Sequence, residues 1–275
     1  MKKLIKSLIP DTLINLYRLY NARKYGWFGD YKTWEEAENV STGYDAIEII
    51  QKVKESALKV KNGRAIYERD SFIFDEIQYS WPILAGLMFA NAIHKKNGGA
   101  GGVLKVLDFG GSLGTTYFQN KKFLDNLQDV SWNIVEQKHF VDIGKTNFED
   151  KKLKFYYDIE SCIKQESPNV LLLSSVLQYI KKPYELLDKL LKNNFETILI
   201  DKTSFSKTKQ KIKLQVVHPK IYRASYPCWF FDELEFTDYF IKNGYKIIES
   251  FESVPGKNKE YIFKGIIMQK KIINK

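Results

Sequence analysis

Two stretches constrain this chain more than any others: VLKVLDFGGSLG at 103–114 and WNIVE at 132–136. An apolar run ends in Asp108, turns through Gly110, Gly111 and Gly114, and a second apolar run ends in Glu136. The pattern reads as a strand, a glycine-rich turn, a helix start and a second strand with an acid at its carboxyl end. Glycines let the backbone approach a ligand closely, and a carboxylate at the second strand's end can accept both hydroxyls of a ribose. That is the layout of a pocket for an adenosine-containing cofactor. Dinucleotide pockets and S-adenosylmethionine (SAM) pockets share it, so the motif alone leaves both open. Its acid suits a free ribose diol and would repel a 2′-phosphate, which argues against NADP.

At 275 residues the chain fits one large domain, or one domain with a substantial extension. Its hydrophobic content of 44% supplies a packed core, which argues against global disorder. A net charge of +10 makes anionic partners plausible: a phosphorylated substrate or an acidic lipid surface. The plainer reading is that lysine is the preferred surface residue. Scattered lysines, with no long Arg-rich tract and no aromatic RNA-binding signature, argue against nucleic acid.

Cys162 and Cys228 form no CxxC pair and have no His at metal-ligand spacing, so neither a disulfide scaffold nor a structural metal site is expected. A cytoplasmic location follows from that cysteine usage. The amino terminus, MKKLIKSLIPDTLINLYRLY, has an apolar stretch broken by Lys6, Pro10 and Asp11, too short for a signal peptide or a membrane span. It reads as a helix packed on its own domain. The alternative is a basic amphipathic helix at the inner face of a membrane, with Leu4, Ile5, Leu8 and Ile9 buried.

Residues 1–100 read as a mostly helical extension, with Thr33 or Ser41 as helix caps. Apolar residues at helical spacing predict a helix over 44–60, and a second over 72–94 interrupted at Trp81-Pro82. KKNGGAGG at 95–102 is a breaker and the expected boundary to a domain over 103–275. From Val103 onward strands are expected at 105–109, 132–136, 154–157, 170–174, 197–201, 245–251 and 261–270. Helices fall between them near 115–127, 140–148, 159–166, 183–193 and 232–243. Alternation of this kind predicts a mostly parallel sheet. The polar turn at 253–259 makes the last two strands an antiparallel hairpin. A parallel sheet closed by such a hairpin is the arrangement of class I methyltransferases, whereas a nicotinamide-binding fold usually continues with parallel units. That favours SAM.

At this point the resemblance becomes specific. The chain resembles a family of SAM-dependent methyltransferases found with bacterial surface-polysaccharide and O-antigen biosynthesis genes. The matching phrases run nearly end to end: FGDYKTWEEA (28–37), GYDAIEIIQKV (43–53), YERDSFIFDEIQYSWPILAGL (67–87), LDFGGSLGTTYFQN (107–120), WNIVEQ (132–137), LLLSSVLQYI (171–180), ILIDKTSF (198–205) and HPKIYRASYPCWFF (218–231). The resemblance implies a Rossmann-like fold, SAM binding and methyl transfer, and leaves the acceptor open.

Carried onto this chain, it implies that Asp108, Gly110, Gly111, Ser112 and Gly114 face the methionine part of the cofactor. Ser112 stands where the family pattern has its middle glycine, and Gly111 is expected to supply the missing freedom. Glu136 would hold the ribose and Gln137 would add an amide. Asp158 would approach the adenine, or else simply cap the helix after it. Ser174 and Ser175 would lie beside the reactive methyl group, or else be small residues that permit close packing. Independently of the resemblance, the segment that holds Arg69 and Tyr79 is dense in aromatic and ionisable groups: it would lid the pocket, with Tyr79 or Arg69 touching the methionine carboxylate or the acceptor, or else be a salt-bridge network of Arg69 with Asp70 or Glu68.

Methyl transfer from an activated sulfonium needs an acceptor oxygen in line and water excluded. Asp201 at the fifth strand's end, His218, Tyr222 or Tyr226 could take the hydroxyl proton or grip a sugar. A preionised phosphate acceptor would need no base. The leading expectation is O-methylation of a sugar, a nucleotide-activated sugar or a glycan-linked phosphate group. One alternative is an NAD-dependent sugar-nucleotide enzyme, which needs a Tyr-x-x-x-Lys pair; Tyr184 is followed by Asp188 and Tyr179 by Pro183. The other is a noncatalytic SAM-binding scaffold.

Overall fold

The computed structural model describes residues 23–43, 46–69, 71–96, 102–254 and 258–271. The expected amino-terminal amphipathic helix lies outside them. In chain order the elements begin with β1 (Gly26–Tyr31), α1 (Trp34–Asn39), α2 (Ala46–Lys61), β2 (Tyr67–Arg69), β3 (Phe72–Phe74) and α3 (Trp81–Lys96). There follow β4 (Val103–Phe109), α4 (Thr115–Leu124), β5 (Asp129–Val135), α5 (Lys138–Asn147), β6 (Leu153–Tyr156), α6 (Ile159–Glu166) and β7 (Val170–Ser174). After a 3-10 turn at Leu177–Tyr179 come α7 (Pro183–Leu191), β8 (Thr197–Ser206), β9 (Lys211–Val216), β10 (Ser225–Asp232), α8 (Glu233–Lys242), β11 (Tyr245–Val254) and β12 (Tyr261–Lys270).

The chain divides into two units, one made of 1–45 with 212–228 and the other of 46–211 with 229–275. The division therefore does not fall at the glycine-rich breaker: residues 46–96 belong to the same unit as the strands that follow. In the smaller unit β1 pairs antiparallel with β9, Gly26 opposite Val216 and Tyr31 opposite Ile212. Thr33 caps α1 by accepting the Glu36 N–H. Ser41 caps nothing; its hydroxyl donates to the Glu38 carbonyl at the end of that helix.

In the larger unit the sheet runs β6-β5-β4-β7-β8-β12-β11. The first five strands are mutually parallel, and β12 enters antiparallel between β8 and β11. This is a Rossmann-like fold, its mostly parallel sheet closed by the antiparallel carboxyl-terminal hairpin expected from the sequence. The fully buried run Val170–Leu173 of β7 reads as expected for a strand covered on both faces. One face packs Leu171, Leu173, Ile198 and Ile200 against Leu187 and Leu190 of α7 and Phe236 and Phe240 of α8. Helix α3 packs against β4, β8 and β12.

Two local expectations fail for identifiable reasons. Residues 72–74 form a strand, because Phe72, Ile73 and Phe74 pair across to Arg69, Glu68 and Tyr67 as a short hairpin. Pro82 does not interrupt a helix but stands in the first turn of α3, where its missing N–H has no carbonyl to bond. The periodic helix holds: Ile49, Ile50, Val53 and Ala57 of α2 are buried together.

Candidate active site

The sheet order reverses at β4, whose neighbours β5 and β7 carry the chain to opposite sides. A crevice outside the carboxyl ends of the strands at such a reversal is where open α/β sheets bind ligands. The glycine turn, Glu136, Ser174 and Ser175 lie at these ends; Asp201, expected at the end of its strand, instead stands in the middle of β8, which runs on to Ser206, and faces Ser174 across the ladder.

Asp108 closes the buried part of β4 and is 1% exposed. Its Oδ2 accepts the indole N–H of Trp132 from β5 at 2.9 Å. Burial pushes its carboxyl up to about 7; the Trp132 hydrogen bond works the other way and nearby Glu136 adds to the rise. Gly111 has no side chain for a steric reason: a Cβ there would stand 2.5 Å from the Asp108 carboxyl. Gly110 takes a φ of +74°, its N–H donates to the Val135 carbonyl at 2.9 Å, and a Cβ would stand 2.5 Å from Val176. Ser112 itself adopts the left-handed conformation, φ +53°. The expected substitution of freedom from Gly111 is thus corrected: the serine occupies the glycine conformation directly, and Gly111 makes room for the acid. Gly114, φ +95°, precedes α4 as its cap residue.

Glu136 follows β5, half-buried. Its Oε2 accepts the Gln137 N–H at 2.6 Å, and the Ser112 backbone also stabilises its charged form. Burial outweighs both and raises its carboxyl above the ordinary range. Gln137 stands at the cap position of α5 with no side-chain cap bond and an exposed side chain. Asp158 caps α6, accepting the Ser161 N–H at 2.7 Å on Oδ1 and the Ser161 hydroxyl at 2.9 Å on Oδ2. Those bonds hold its carboxyl below the usual range, so the cap reading of Asp158 is realised in the structure.

Ser174 ends β7, and Ser175, φ +55°, donates its N–H to the Asp201 carbonyl at 2.9 Å. Asp201 is 3% exposed in β8. Its Oδ2 stands 4.0 Å from the Lys202 ammonium, and its Oδ1 makes no hydrogen bond among the described residues. Burial raises its carboxyl, and Lys202, Ser253 and Ser80 pull it part of the way back. Lys202 is held at φ +48° and donates its N–H to the Ser253 hydroxyl at 3.1 Å. Tyr79 is half-buried, its ring 4.7 Å from Trp81 and 5.5 Å from Phe123. Sequence reasoning missed Gln178, a fully buried amide that donates to the Lys202 carbonyl at 2.9 Å. Its sequence signal is a polar residue among the apolar ones of SSVLQYI.

His218, Tyr222 and Tyr226 belong to the smaller unit. There the His218 ring lies 4.5 Å from Tyr25 at a tilt of 54°, and its Nδ1 accepts the Lys220 N–H at 3.1 Å. A neutral imidazole with Nδ1 accepting carries its proton on Nε2, so its basic nitrogen is engaged. The Tyr222 and Tyr226 hydroxyls share a hydrogen bond of 3.2 Å. Among the described residues no group of three or more His, Cys, Asp or Glu could hold a metal ion. No helix among them is long and apolar enough to cross a membrane.

No family model matches the chain. No curated protein matches it either. Among solved structures, the N-terminal domain of EvdMO1, crystallised in the presence of SAH and D-fucose, is 13% identical, with 83% of this chain and 98% of that one aligned and a TM-score of 0.48. The 1,6-didemethyltoxoflavin-N1-methyltransferase of Burkholderia thailandensis, with bound 1,6-didemethyltoxoflavin and S-adenosylhomocysteine, is 14% identical over 84% of this chain and 92% of that one, TM-score 0.41. The magnesium protoporphyrin IX methyltransferase of Synechocystis PCC 6803 with bound SAM is 10% identical over 84% and 99%, TM-score 0.44. Superpositions this loose leave the strand order and the crevice themselves as the ground for function.

Proposed function

We propose that the chain is a SAM-dependent methyltransferase acting on a hydroxyl of a sugar, a nucleotide-activated sugar or a glycan-linked phosphate group. The observation that supports it best is the crevice at the sheet reversal. A turn with Gly110 and Ser112 at positive φ lies over a buried acid, and Glu136 stands at the end of the adjoining strand. The residues fit the group. Side chains at Gly110 and Gly111 would fill the cradle, and the Glu136 carboxylate is a ready acceptor for a ribose diol. Gly110, Ser112 and Ser174 would line the amino-acid end, with Gln137 beside the adenosine. When bound, the cofactor supplies a methyl group already activated on a sulfonium.

The chain's own work is then to orient the acceptor, exclude water and receive one proton. Asp201 suits the last role. It is buried within β8 opposite Ser174, the last residue of β7, its Oδ1 makes no hydrogen bond among the described residues, and burial raises its carboxyl above the ordinary range. The engaged Nδ1 of His218 makes that residue the weaker candidate. The NAD reading is disfavoured by the antiparallel β12 and by the missing Tyr-x-x-x-Lys pair.

The test is transfer of label from SAM to a surface-glycan fraction, with mass spectrometry reading the gain of one CH₂. Turnover should rise with pH through the raised Asp201 carboxyl, and Asp201→Asn should abolish that rise. A chain that binds neither SAM nor S-adenosylhomocysteine by calorimetry sinks the proposal.

A further inference from the structure

A buried indole, that of Trp132, is tied to the glycine turn through a single acid. Trp132 of β5 lies opposite Val106 of β4, and Ile134 opposite Asp108, so Trp132 and Asp108 share one face of the sheet. Trp132 is wholly buried, its ring 5.9 Å from that of Tyr117, which is 1% exposed on α4. Helix and sheet together hold the indole in place. Its N–H is the donor to Asp108 Oδ2 at 2.9 Å. A phenylalanine would fill much of that space without bringing a donor, so packing alone gives no reason for a tryptophan. The acid gives one.

Asp108 passes the constraint on. Its carboxyl leaves no room for a Cβ on Gly111, so the backbone of the turn rests directly against it. One residue further, the Ser112 backbone bonds to the Glu136 carboxylate; one residue back, the Gly110 N–H bonds to the Val135 carbonyl. A chain of contacts thus runs from Trp132 through Asp108 and the turn to Glu136. Asp108 itself is 1% exposed and already has a donor in the indole. A buried carboxylate stripped of its donor is costly. Relief of that cost would shift Gly111 and Ser112, and Glu136 would lose the Ser112 bond.

We propose that Trp132 is a positioning residue for the cofactor site: through Asp108 it fixes the turn and the Glu136 carboxylate, and Asp108 supports the turn instead of binding the cofactor's amino group. The inference rests on the methyl-transfer reading for the identity of the ligand. It departs from the direct contact that the family resemblance implies for Asp108.

The test is calorimetry of the full chain with S-adenosylhomocysteine and with its deamino analogue, which lacks the α-ammonium. Both are titrated at about pH 8, above the raised value of the Asp108 carboxyl. Trp132→Phe should weaken S-adenosylhomocysteine fivefold or more. Adding Asp108→Asn to it should recover at least twofold of the loss, because a neutral amide tolerates a missing donor better than a carboxylate does. A purely structural role would lower the melting temperature of Trp132→Phe and leave the affinity of the folded chain unmoved. The ratio of affinities for the two ligands should agree within threefold between wild type and Asp108→Asn, whereas a direct bond to the ammonium would make it collapse. If Trp132→Phe does not fold, that ratio decides. A smaller loss in folded Trp132→Phe, no recovery in the double variant, or a larger change in the ratio overturns the inference. Any of these in a wild-type chain that binds S-adenosylhomocysteine defeats this inference alone; a wild-type chain that binds neither ligand defeats the methyl-transfer reading.

Discussion

At the ends of β4 and β5 polar groups close on one another, whereas in the turn after β7 and in the middle of β8 two buried oxygens go without a donor among the described residues. Asp108 is bonded to Trp132, and Glu136 is held by the Gln137 N–H. Gln178 and Asp201, equally buried, each keep an oxygen without a donor among the described residues. The first pair of ends is rigid and preorganised, as suits a ligand whose shape never varies. The second keeps two buried oxygens without a protein donor among the described residues, at a cost in stability. In a low-dielectric interior an unmet acceptor is costly, so the second region is the less settled of the two.

The largest expected effect tests how closed the first pair of ends is. The Asp108 carboxyl is raised from 3.8 to about 7, so between those values the folded chain holds its proton more tightly than the unfolded one. Stability should therefore fall as pH rises through that window and level off above it. Asp108→Asn keeps an acceptor for the Trp132 indole and removes the titration. Relative to wild type it should gain on the order of 3 kcal/mol between about pH 4 and about pH 8. Urea unfolding at each pH measures this, and parallel pH profiles would mean the acid is not the strained member of the pair.

Next comes the steric fit. Gly111→Ala drives a methyl into the Asp108 carboxyl and should destabilise by about 1–3 kcal/mol. Gly63→Ala, at a glycine with φ +68° but nothing near enough to clash, meets only backbone strain and should cost less than the steric overlap at Gly111. Equal melting temperatures for the two variants would show that the turn yields to the added group.

Glu136→Ala bears on function. It should weaken S-adenosylhomocysteine by about 1–3 kcal/mol through lost ribose hydrogen bonds, read by calorimetry. An unchanged affinity would move the ribose away from this edge. The smallest effect is expected at Asp158, whose two oxygens are spent on Ser161. Asp158→Ala should cost about 1 kcal/mol of stability as a lost cap and change cofactor affinity little. A large affinity loss there would extend the preorganised region to β6.

Legibility in the sequence followed the range of the interactions. The helix α2 and the strand β7 announce themselves through periodicity and an unbroken apolar run, because burial on one face or two is written locally. Thr33 and Asp158 were readable as caps for the same reason. Strand β3 reads in the sequence as the start of a helix over 72–94, since its pairing with β2 depends on a turn that propensity does not specify. Pro82 was misread as a break, because whether a proline starts or stops a helix depends on where the preceding strand ends. At the glycine turn the acid and glycines were visible, but the division of labour between Gly111 and Ser112 was not. Gln178 went unnoticed because one amide among apolar residues has no local signature.

What the sequence determined by itself was the alternation of strands and helices, the glycine turn after Asp108 and the acid after β5, since each is a matter of residues adjacent along the chain. Only the tertiary structure decided that β12 inserts between β8 and β11, and that Gln178 and Asp201 share one cluster. It also decided that His218, Tyr222 and Tyr226 fall in a different unit from Asp201. Those are relations between residues far apart in sequence, set by which surfaces bury one another, and local pattern carries no record of them.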